Sequence, residues 1–332
     1  MRIFHHFNDL PADVRGAAVA IGNFDGVHRG HRAVIDEAGR IARAAGLPWA
    51  VLTFEPHPRS VFKPGIEPFR LTPFPAKARH IAALGVDCLV VLAFDLPFSR
   101  RPANQFVDDV LVRGLEARHV VSGYDFVFGH DRVGNCELLL QMGARAGFGF
   151  TSVSAVVDEA GEIYSATRVR EELAAADPRA AARLLGRCFE IEGRVEHGEK
   201  RGHAVGFPTA NMHLDEFLRP AKGVYAVRAS VGEGPAPQWR DGVANLGHRP
   251  TFAGDDLILE VHLFDFDGDL YGQHLRIALV DYLRPEKKFD GLDDLKAQIV
   301  RDIEAARGIL GVIEDAAEAT SASRQQRQRA EK

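Results

Sequence analysis

The stretch AVAIGNFDGVHRGH (residues 18–31) decides the fold of the first half of the chain. Its apolar start predicts a buried strand, its glycines allow a tight turn, and a helical pattern follows. A turn that opens onto a helix N-terminus can bind anions, because backbone N–H groups and the positive end of the helix dipole meet there. His28 and His31 are three residues apart, so both imidazoles share one face of the helix. We predict a phosphate site at which Gly30 lets a phosphate approach the backbone.

The H-x-G-H tetrapeptide is a weak signal by itself, because the chain contains 14 histidines and 32 glycines. Two exposed histidines in a loop explain it equally well. Its position between a strand, a glycine-rich turn and a helix favours a site for adenylyl transfer. Such a site needs no nucleophilic side chain, because it works by holding the α-phosphate in line and donating hydrogen bonds to the developing charge.

Composition sets limits on the class of protein. A length of 332 residues suffices for two domains, and a net charge of −5 indicates neither a nucleic-acid binder nor a membrane-surface binder. Cys88, Cys136 and Cys188 are far apart without C-x-x-C spacing, which argues against a disulfide framework or a zinc site. No apolar run reaches the length of a signal-peptide core or a membrane span. We therefore expect a cytoplasmic protein.

Strands and helices alternate after the opening stretch. The predicted strands are Leu47 to Phe54, Val86 to Phe94, Arg118 to Gly123 and Phe150 to Val157. The predicted helices between them are Arg32 to Ala45, Ala76 to Leu84, Ala103 to Val112 and Cys136 to Ala146. This pattern predicts a parallel sheet covered on both faces, whose ligands bind beyond the carboxyl ends of the strands.

Three further loops are expected at the same edge of the sheet: TFEPHPR (53–59), SGYDFVFG (122–129) and SATRVR (165–170). Each has a plain alternative. The first is also explained as a proline-stiffened turn, and the second as aromatic residues packing on the sheet edge. The hydroxyls of the third either cap a helix or bind phosphate oxygens beside Arg168 and Arg170.

The pattern changes near residue 186, where short strands of period two and glycine turns replace the strand-helix alternation. Gly198, Gly202 and Gly206 punctuate a segment that carries Lys200, Arg201 and His203. Glycines at this density do not suit a helix, so we expect a loop whose N–H groups meet phosphates, or else an ordinary hairpin loop.

Thr209 and Asn211 follow this loop, and their oxygens suit a magnesium–nucleotide complex, although the spacing alone is a weak signal. Glu260 lies among apolar residues of a predicted strand, Leu257 to Phe266. It is either a general base with a raised pKa or a solvent-facing glutamate. Several such strands predict a closed barrel. A helix with an apolar stripe that begins at Leu292 follows, and residues 315–332 are expected to be disordered.

In the first half, GNFDGVHRGH, TFEPHPR, GYDFVFG and SATRVR together resemble the N-terminal module of bacterial bifunctional riboflavin kinase/FAD synthetases, a Rossmann-like HxGH nucleotidyltransferase. The resemblance implies transfer of AMP from ATP to FMN with magnesium. It assigns His28 and His31 to catalysis. It also assigns to nucleotide and phosphate binding the residues Gly22, Asn23, Phe24, Asp25, Gly30, Asp125, Thr167 and Arg168. Ala166 stands where relatives often have a second serine.

In the second half, GRVEHGEKRGHAVGFPTANM, GVYAV, VANLGHRPTF and LEVHLFDFDGDLYG resemble the riboflavin kinase module, a six-stranded Greek-key β-barrel. The resemblance makes Thr209 and Asn211 ligands of Mg-ATP. It makes Glu260 the base that takes the proton from the 5′-hydroxyl of riboflavin. The loop of Gly198, Gly202 and Gly206 would cover ADP. His203 stands where arginine is usual.

Both resemblances predict an α/β domain over residues 1–186, a β-barrel domain with a closing helix over 187–314, and a tail over 315–332. The expected function is the phosphorylation of riboflavin to FMN in the barrel and the adenylylation of FMN to FAD in the α/β domain. Mg²⁺, ATP and flavins are the small-molecule partners, and a homo-oligomer is possible. Two alternatives stay open: an adenylyltransferase whose barrel only binds flavin, and a flavin sensor without turnover.

Overall fold

The structure, a computed structural model, describes residues 1–196, 206–232, 234, 237–251 and 254–330, without the side chains of 249–251, 254–256 and 313–330. The chain divides into two compact units, Met1–Ala166 and Thr167–Lys332. The sequence places the boundary later, near residue 186. The segment between the two positions is helical, and a helical pattern alone does not tell which unit a helix packs on. The domain limits 1–186 and 187–314 stay predictions.

The first unit contains one six-stranded sheet whose paired strands are parallel, which confirms the predicted α/β class. Its strands are β1 (Arg2–Phe4), β2 (Ala18–Ile21), β3 (Trp49–Glu55), β4 (Cys88–Ala93), β5 (His119–Gly123) and β6 (Gly149–Val153). They lie in the order β1-β4-β3-β2-β5-β6. The direction of winding therefore reverses between β2 and β5, where ligands of such sheets bind beyond the carboxyl strand ends.

Helices cover both faces of this sheet. They are α1 (Arg29–Ala45), α2 (Pro58–Phe62), α3 (Phe74–Ala82), α4 (Leu96–Ser99), α5 (Ala103–Phe106) with a π-helical continuation (Val107–Gly114), a 3₁₀ turn (His130–Arg132) and α6 (Cys136–Ala146). Strand β2 shows why both faces need cover. Ala18 and Ala20 enter the core on the side of α1 and α3, whereas Val19 and Ile21 enter the core on the other side.

Two helices open the second unit, α7 (Ala166–Ala174) and α8 (Pro178–Leu185). They are separate helices, because Pro178 starts α8 and the carboxylate of Asp177 caps it. The backbone nitrogen of Ala221 donates to the carbonyl oxygen of Leu173 at 2.9 Å. Helix α8 packs against the barrel strands described next. These contacts explain why both helices belong to the second unit.

Six antiparallel strands form the barrel of the second unit: β7 (Phe189–Arg194), β8 (Ala210–His213), β9 (Gly223–Val231), β10 (Trp239–Thr251), β11 (Gly254–Leu263) and β12 (His274–Arg284). Their order is β7-β12-β9-β10-β11-β8. The backbone nitrogen of Glu196 donates to the carbonyl oxygen of Asn211 at 2.9 Å, which links the two ends of the sheet. The barrel is therefore nearly closed, as predicted.

The last helix, α9 (Leu292–Ala330), packs on the outer face of the barrel. Ala306 and Leu310 are fully buried against barrel residues such as Val243 and Phe264. Leu292 is 67% exposed, so the predicted apolar stripe is wrong at its first residue, because contact with the barrel begins later along the helix. The helix runs through residue 330, and no side chain is described from residue 313 onward. Disorder of residues 315–332 in solution stays a prediction.

Candidate active sites

The loop between β2 and α1, residues 22–28, contains two residues in a strained backbone conformation. Phe24 has φ +49° and Val27 has φ +43°, in the left-handed region that L side chains rarely adopt. Each residue is only 1% exposed. Such conformations cost free energy, persist only where the surroundings enforce them, and cluster at functional sites. Packing around this loop therefore holds the shape that precedes His28.

His28 caps the N-terminus of α1. Its Nδ1 accepts a hydrogen bond from the backbone nitrogen of His31 at 3.3 Å. Because Nδ1 accepts, the neutral ring carries its proton on Nε2. The ring of His31 stacks on that of His28, with centroids 3.6 Å and planes 24° apart. The structure thus brings the two predicted catalytic imidazoles together at the helix N-terminus, at the point where the strand order reverses.

Gly22 and Gly30 lie where a side chain would collide with this pair and its support. A Cβ atom on Gly22 would lie 2.9 Å from the ring of Phe24. A Cβ atom on Gly30 would lie 3.1 Å from both the ring of His28 and the carbonyl oxygen of Tyr164. Close packing within the protein is therefore one reason for each glycine. Their contact with a phosphate, and that of exposed Asn23 and of Phe24, stays a prediction.

Asp25 is buried, with 2% exposed, and its carboxylate faces protein donors. Its Oδ1 accepts hydrogen bonds from the backbone nitrogens of Leu71 and Thr72, both at 3.0 Å. The sequence predicts a nucleotide contact for Asp25, but a carboxylate and a phosphate repel each other. The described contacts give Asp25 the role of tying the loop to the segment before α3. The nucleotide contact assigned to Asp25 stays a prediction.

A buried ionic cluster continues from this contact. Arg70 donates two hydrogen bonds to Glu55, at 2.7 and 3.0 Å, and its Nε lies 3.8 Å from Oδ1 of Asp25. The Nζ of Lys77, a residue with 0% exposed, lies 2.7 Å from Oε1 of Glu55 and 3.4 Å from Oγ1 of Thr53. Sequence reasoning missed this cluster. One signal was present, since Lys77 lies on the apolar face of α3 beside Ala76, Ala78 and Ile81.

The cluster also sets the protonation behaviour of its members. Burial would raise the pKa of Glu55, but the hydrogen bond from Arg70 and the charges of Lys77 and Arg70 outweigh burial, so this pKa lies below its ordinary value. Burial lowers the pKa of Lys77, and the Glu55 carboxylate opposes that effect. Glu55 thus favours its charged form, which is the form that the two cations need.

The other residues of TFEPHPR are engaged locally. The Nδ1 of His57 accepts a hydrogen bond from the backbone nitrogen of Arg59 at 3.1 Å and so caps α2. The guanidinium of Arg59 lies 4.8 Å from the ring centroid of Phe69. These contacts favour the interpretation of this loop as a stiffened turn.

Asp125 lies in an exposed turn directly after β5, the strand that pairs with β2. This position places it beyond the same carboxyl edge as the loop of residues 22–28. Phe126 and Phe128 stack with ring centroids 5.5 Å apart, and Phe128 is buried in the core. The aromatic residues of this loop therefore pack on the sheet edge, and a nucleotide contact of Asp125 stays a prediction.

Thr167 and Arg168 lie in the first turn of α7, in the second unit. Thr167 is exposed and Arg168 is half-buried. Their role over the phosphates bound by the first unit stays a prediction.

In the barrel, Glu260 lies in a row of polar residues that crosses three strands. It is directly opposite Asn211 on β8 and directly opposite Asn245 on β10. Directly opposed residues on antiparallel strands have side chains on the same face, with Cβ atoms about 4.5–5.5 Å apart. The neighbouring Leu259 and Val261, 0% and 1% exposed, fill the barrel interior, so this row lies on the outer face. Sequence reasoning missed Asn245, because its place beside Glu260 depends on strand register.

Asn211 has a buried acceptor atom. The residue is 8% exposed, and its side-chain Oδ1 has no hydrogen-bond partner among the described residues. Leaving such an atom without a partner costs free energy, so an orphaned acceptor in a native fold calls for an explanation. An oxygen beside the carboxylate of Glu260 suits a hard cation or a nucleotide donor.

Thr209 lines a cavity of about 280 Å³ at the barrel mouth, together with Val195, Ala210, Leu263 and the loop of residues 266–271. The segment before it is held on β11, since Nδ1 of His262 lies 2.9 Å from the carbonyl oxygen of Pro208. Gly206, exposed with φ +89°, adopts a conformation that favours glycine. Gly198, Gly202, Lys200, Arg201 and His203 lie outside the described residues.

Comparison with known proteins finds relatives of both units. The FAD synthetase family matches residues 10–168, and the riboflavin kinase family matches residues 185–310. A protein named bifunctional riboflavin kinase/FMN adenylyltransferase from Escherichia coli (strain K12) is 43% identical over 317 residues, which cover 95% of this chain and 99% of that protein. The protein of the same name from Bacillus subtilis (strain 168) is 36% identical over 312 residues, covering 92% and 96%.

A solved structure is similar over both units. It is named Macrolide-efflux Protein from Streptococcus pneumoniae, and it matches with a TM-score of 0.81 and 30% identity over 92% of this chain and 99% of its own. In the part of the present chain that the structure describes, every helix is too short or too polar to cross a membrane.

Proposed function

The chain belongs to the family of bifunctional riboflavin kinase/FMN adenylyltransferases, and we propose that it converts riboflavin to FAD in two ATP-dependent steps. The barrel phosphorylates riboflavin to FMN, and the α/β unit transfers AMP from ATP to FMN with release of pyrophosphate. The observation that carries this proposal is the 43% identity to the Escherichia coli protein, which extends over 95% of the chain and so includes both sites.

In the kinase step, Glu260 accepts the proton of the riboflavin 5′-hydroxyl as that oxygen attacks the γ-phosphorus of ATP. The new O–P bond forms as the bond to the ADP oxygen breaks. Thr209 and Asn211 orient the nucleotide. The orphaned Oδ1 of Asn211 fits a hard cation, so Asn211 and Thr209 would hold Mg²⁺. Mg²⁺, when bound, neutralises charge on the phosphates.

In the adenylyl step, the FMN phosphate attacks the α-phosphorus of ATP, and pyrophosphate leaves. The chain supplies no nucleophile for this step. His28 and His31, at the positive end of α1, donate to the phosphate oxygens and stabilise the charge that develops. Asp125, Thr167 and Arg168 are the further nucleotide contacts. Positioning and charge stabilisation therefore account for both steps.

We also propose that the enzyme works in the cytoplasm and as a possible homo-oligomer, with small molecules and no nucleic acid as its partners. The three cysteines, which are all free, suit a reducing compartment.

One experiment tests both activities. The purified chain is incubated with riboflavin, ATP and Mg²⁺, and the flavins are separated by chromatography over time. FMN that appears first and then gives way to FAD supports the proposal. Formation of FMN without FAD would contradict adenylyl transfer by the first unit. Conversion of supplied FMN to FAD with no conversion of riboflavin would show that the barrel only binds flavin. No turnover of either flavin favours a sensor.

A double variant assigns FAD formation to the site in the first unit. The double variant His28→Ala, His31→Ala should lose FAD formation and keep FMN formation. Retained FAD formation in this variant would contradict the site in the first unit.

A further inference from the structure

Two hydroxyl groups hold the loop of residues 22–28 from outside the loop. The Oγ1 of Thr72 accepts a hydrogen bond from the backbone nitrogen of Gly26 at 2.8 Å. The Oγ1 of Thr53 donates to the carbonyl oxygen of Asn23 at 3.2 Å. Both threonines are buried, with 3% and 0% exposed. Their hydroxyls are therefore fixed contacts of the backbone on either side of Phe24 and Asp25.

The ionic cluster described above fixes these two hydroxyls in turn. Lys77 lies 3.4 Å from Oγ1 of Thr53 and is itself paired with Glu55. The carboxylate of Asp25 accepts a hydrogen bond from the backbone nitrogen of Thr72 at 3.0 Å. Together with the hydrogen bond from Gly26 to Thr72, it joins Thr72 to the loop by two hydrogen bonds. Two carboxylates, of Asp25 and Glu55, face two cations, of Arg70 and Lys77. The charges balance in the low-dielectric interior, where an unpaired charge would be costly.

The loop needs such support because it is strained. Phe24 and Val27 have positive φ angles, and Val27 immediately precedes His28. A backbone that relaxed to ordinary φ angles would move the Cα of His28 and turn its ring away from His31. Misplacement of a catalytic group by about 1 Å costs up to about a hundredfold in rate.

We propose that Thr72 and Thr53, held by Asp25, Glu55, Arg70 and Lys77, are positioning residues for adenylyl transfer. They act through the backbone of residues 23–27, and they keep His28 where it meets the α-phosphate. This inference rests on the proposed FMN adenylyltransferase activity of the first unit. Thr72, Arg70 and Lys77 lie outside the sequence motifs, and no positioning role has been given to Thr53, Glu55 or Asp25 within them.

The test uses the full chain and the variants Thr72→Val and Thr72→Ser. Valine keeps the shape of threonine and removes the acceptor of the Gly26 hydrogen bond, whereas serine keeps that acceptor. For FMN conversion to FAD, we expect Thr72→Val to lower kcat by about tenfold to a hundredfold, with the KM values of ATP and FMN within about threefold. Thr72→Ser should restore kcat to within about threefold of the unaltered chain.

Two controls separate positioning from general damage. Thr151→Val removes a hydroxyl that lies 2.8 Å from Nε2 of His119 on β5, away from the loop, and should leave kcat unchanged. The riboflavin kinase rate of the same preparations should be equal in all variants. If Thr72→Val fails to fold, as thermal unfolding reports, Thr53→Val and Thr53→Ser carry the same test with the same expected results.

Unchanged kcat in the valine variants would overturn the inference. So would a fall in kcat that serine does not reverse, or one matched by an equal rise in KM. Failure of the proposed function looks different, because the unaltered chain would then form no FAD at all.

Discussion

The Nδ1 of His28 accepts a hydrogen bond from the backbone nitrogen of His31 at 3.3 Å, and the two rings stack 3.6 Å apart. The side chain of His28 thus caps the N-terminus of α1 and also forms half of the histidine pair. The two roles use different ring nitrogens, because the cap uses Nδ1 and donation to a phosphate would use Nε2. Substitutions at position 28 can therefore separate stability from activity.

His28→Asn should keep the cap and lose adenylyl transfer, because asparagine is a strong N-cap residue but lacks a donor at the position of Nε2. His28→Ala should lose both, with a fall of about 0.5–2 kcal/mol in the free energy of unfolding. Chemical denaturation and FAD formation measure the two properties. Equal stability of both variants would contradict the capping role.

Gly30→Ala should lower the rate of FAD formation by a larger factor than it lowers the equilibrium constant for folding. The added Cβ would lie 3.1 Å from the ring of His28 and from the carbonyl oxygen of Tyr164, so the ring must shift. Gly308→Ala is the matched control, because a Cβ at that helical position meets nothing within 4 Å. The control should gain about 0.5–1 kcal/mol in unfolding free energy and keep both activities. Normal FAD synthesis by Gly30→Ala would contradict the predicted crowding.

Glu260→Gln should lower the kcat of FMN formation by about a hundredfold to ten-thousandfold, since it removes the base and keeps the shape. The rate of FMN conversion to FAD should not change. Glu192→Gln, on the outer face of β7, is the control and should behave like the unaltered chain. Kinetics with riboflavin and with FMN as separate substrates decide the outcome, and full kinase activity of Glu260→Gln would reject this base.

Asn211→Leu should abolish riboflavin phosphorylation without lowering the melting temperature of the barrel. The substitution removes a buried oxygen that has no hydrogen-bond partner among the described residues and adds apolar volume of similar size. Function would thus be lost while stability is kept, a separation that is common at binding sites. Differential scanning calorimetry without nucleotide measures the first effect. A large loss of stability would show that Oδ1 of Asn211 serves the fold.

Stability of the first unit should fall with acid in a way that depends on Glu55. The pKa of Glu55 in the folded chain lies below its ordinary value of 4.5. The stabilisation is therefore fully present above pH 4.5 and is lost as the pH falls through the folded-state pKa. Unfolding free energy measured from pH 6 to pH 3 should decline less steeply in Glu55→Gln. Equal slopes would show that Glu55 does not carry this loss.

The sequence predicts most of the sheet and little of the ionic cluster, for identifiable reasons. Buried parallel strands such as β3 are continuous apolar runs, which are visible without a structure. Strand β1 has three residues and lies at an edge, and β8 has four residues, so both are too short for a periodic signal. Lys77 resembles any surface lysine until its apolar neighbours on α3 are considered.

The two candidate sites differ in how far local sequence predicts their geometry. The histidine pair depends on a spacing of three residues, so local sequence predicts it. The opposition of Glu260, Asn211 and Asn245 depends on register between three strands, which no local pattern fixes. The contacts of Asp25 likewise join distant segments, and its buried carboxylate was not foreseen.

The long reach of those contacts matters while the chain is being synthesised. The carboxylate of Asp25 accepts hydrogen bonds from the backbone nitrogens of Leu71 and Thr72, which lie 46 and 47 positions later in the chain. A nascent chain that has exposed residues 22–28 lacks the partners that hold this loop until the start of α3 has also emerged from the ribosome. The histidine pair therefore acquires its final geometry only after β2, β3 and the start of α3 have come together. Substitutions at Thr72 or Arg70 should for this reason slow maturation of the enzyme as well as its turnover.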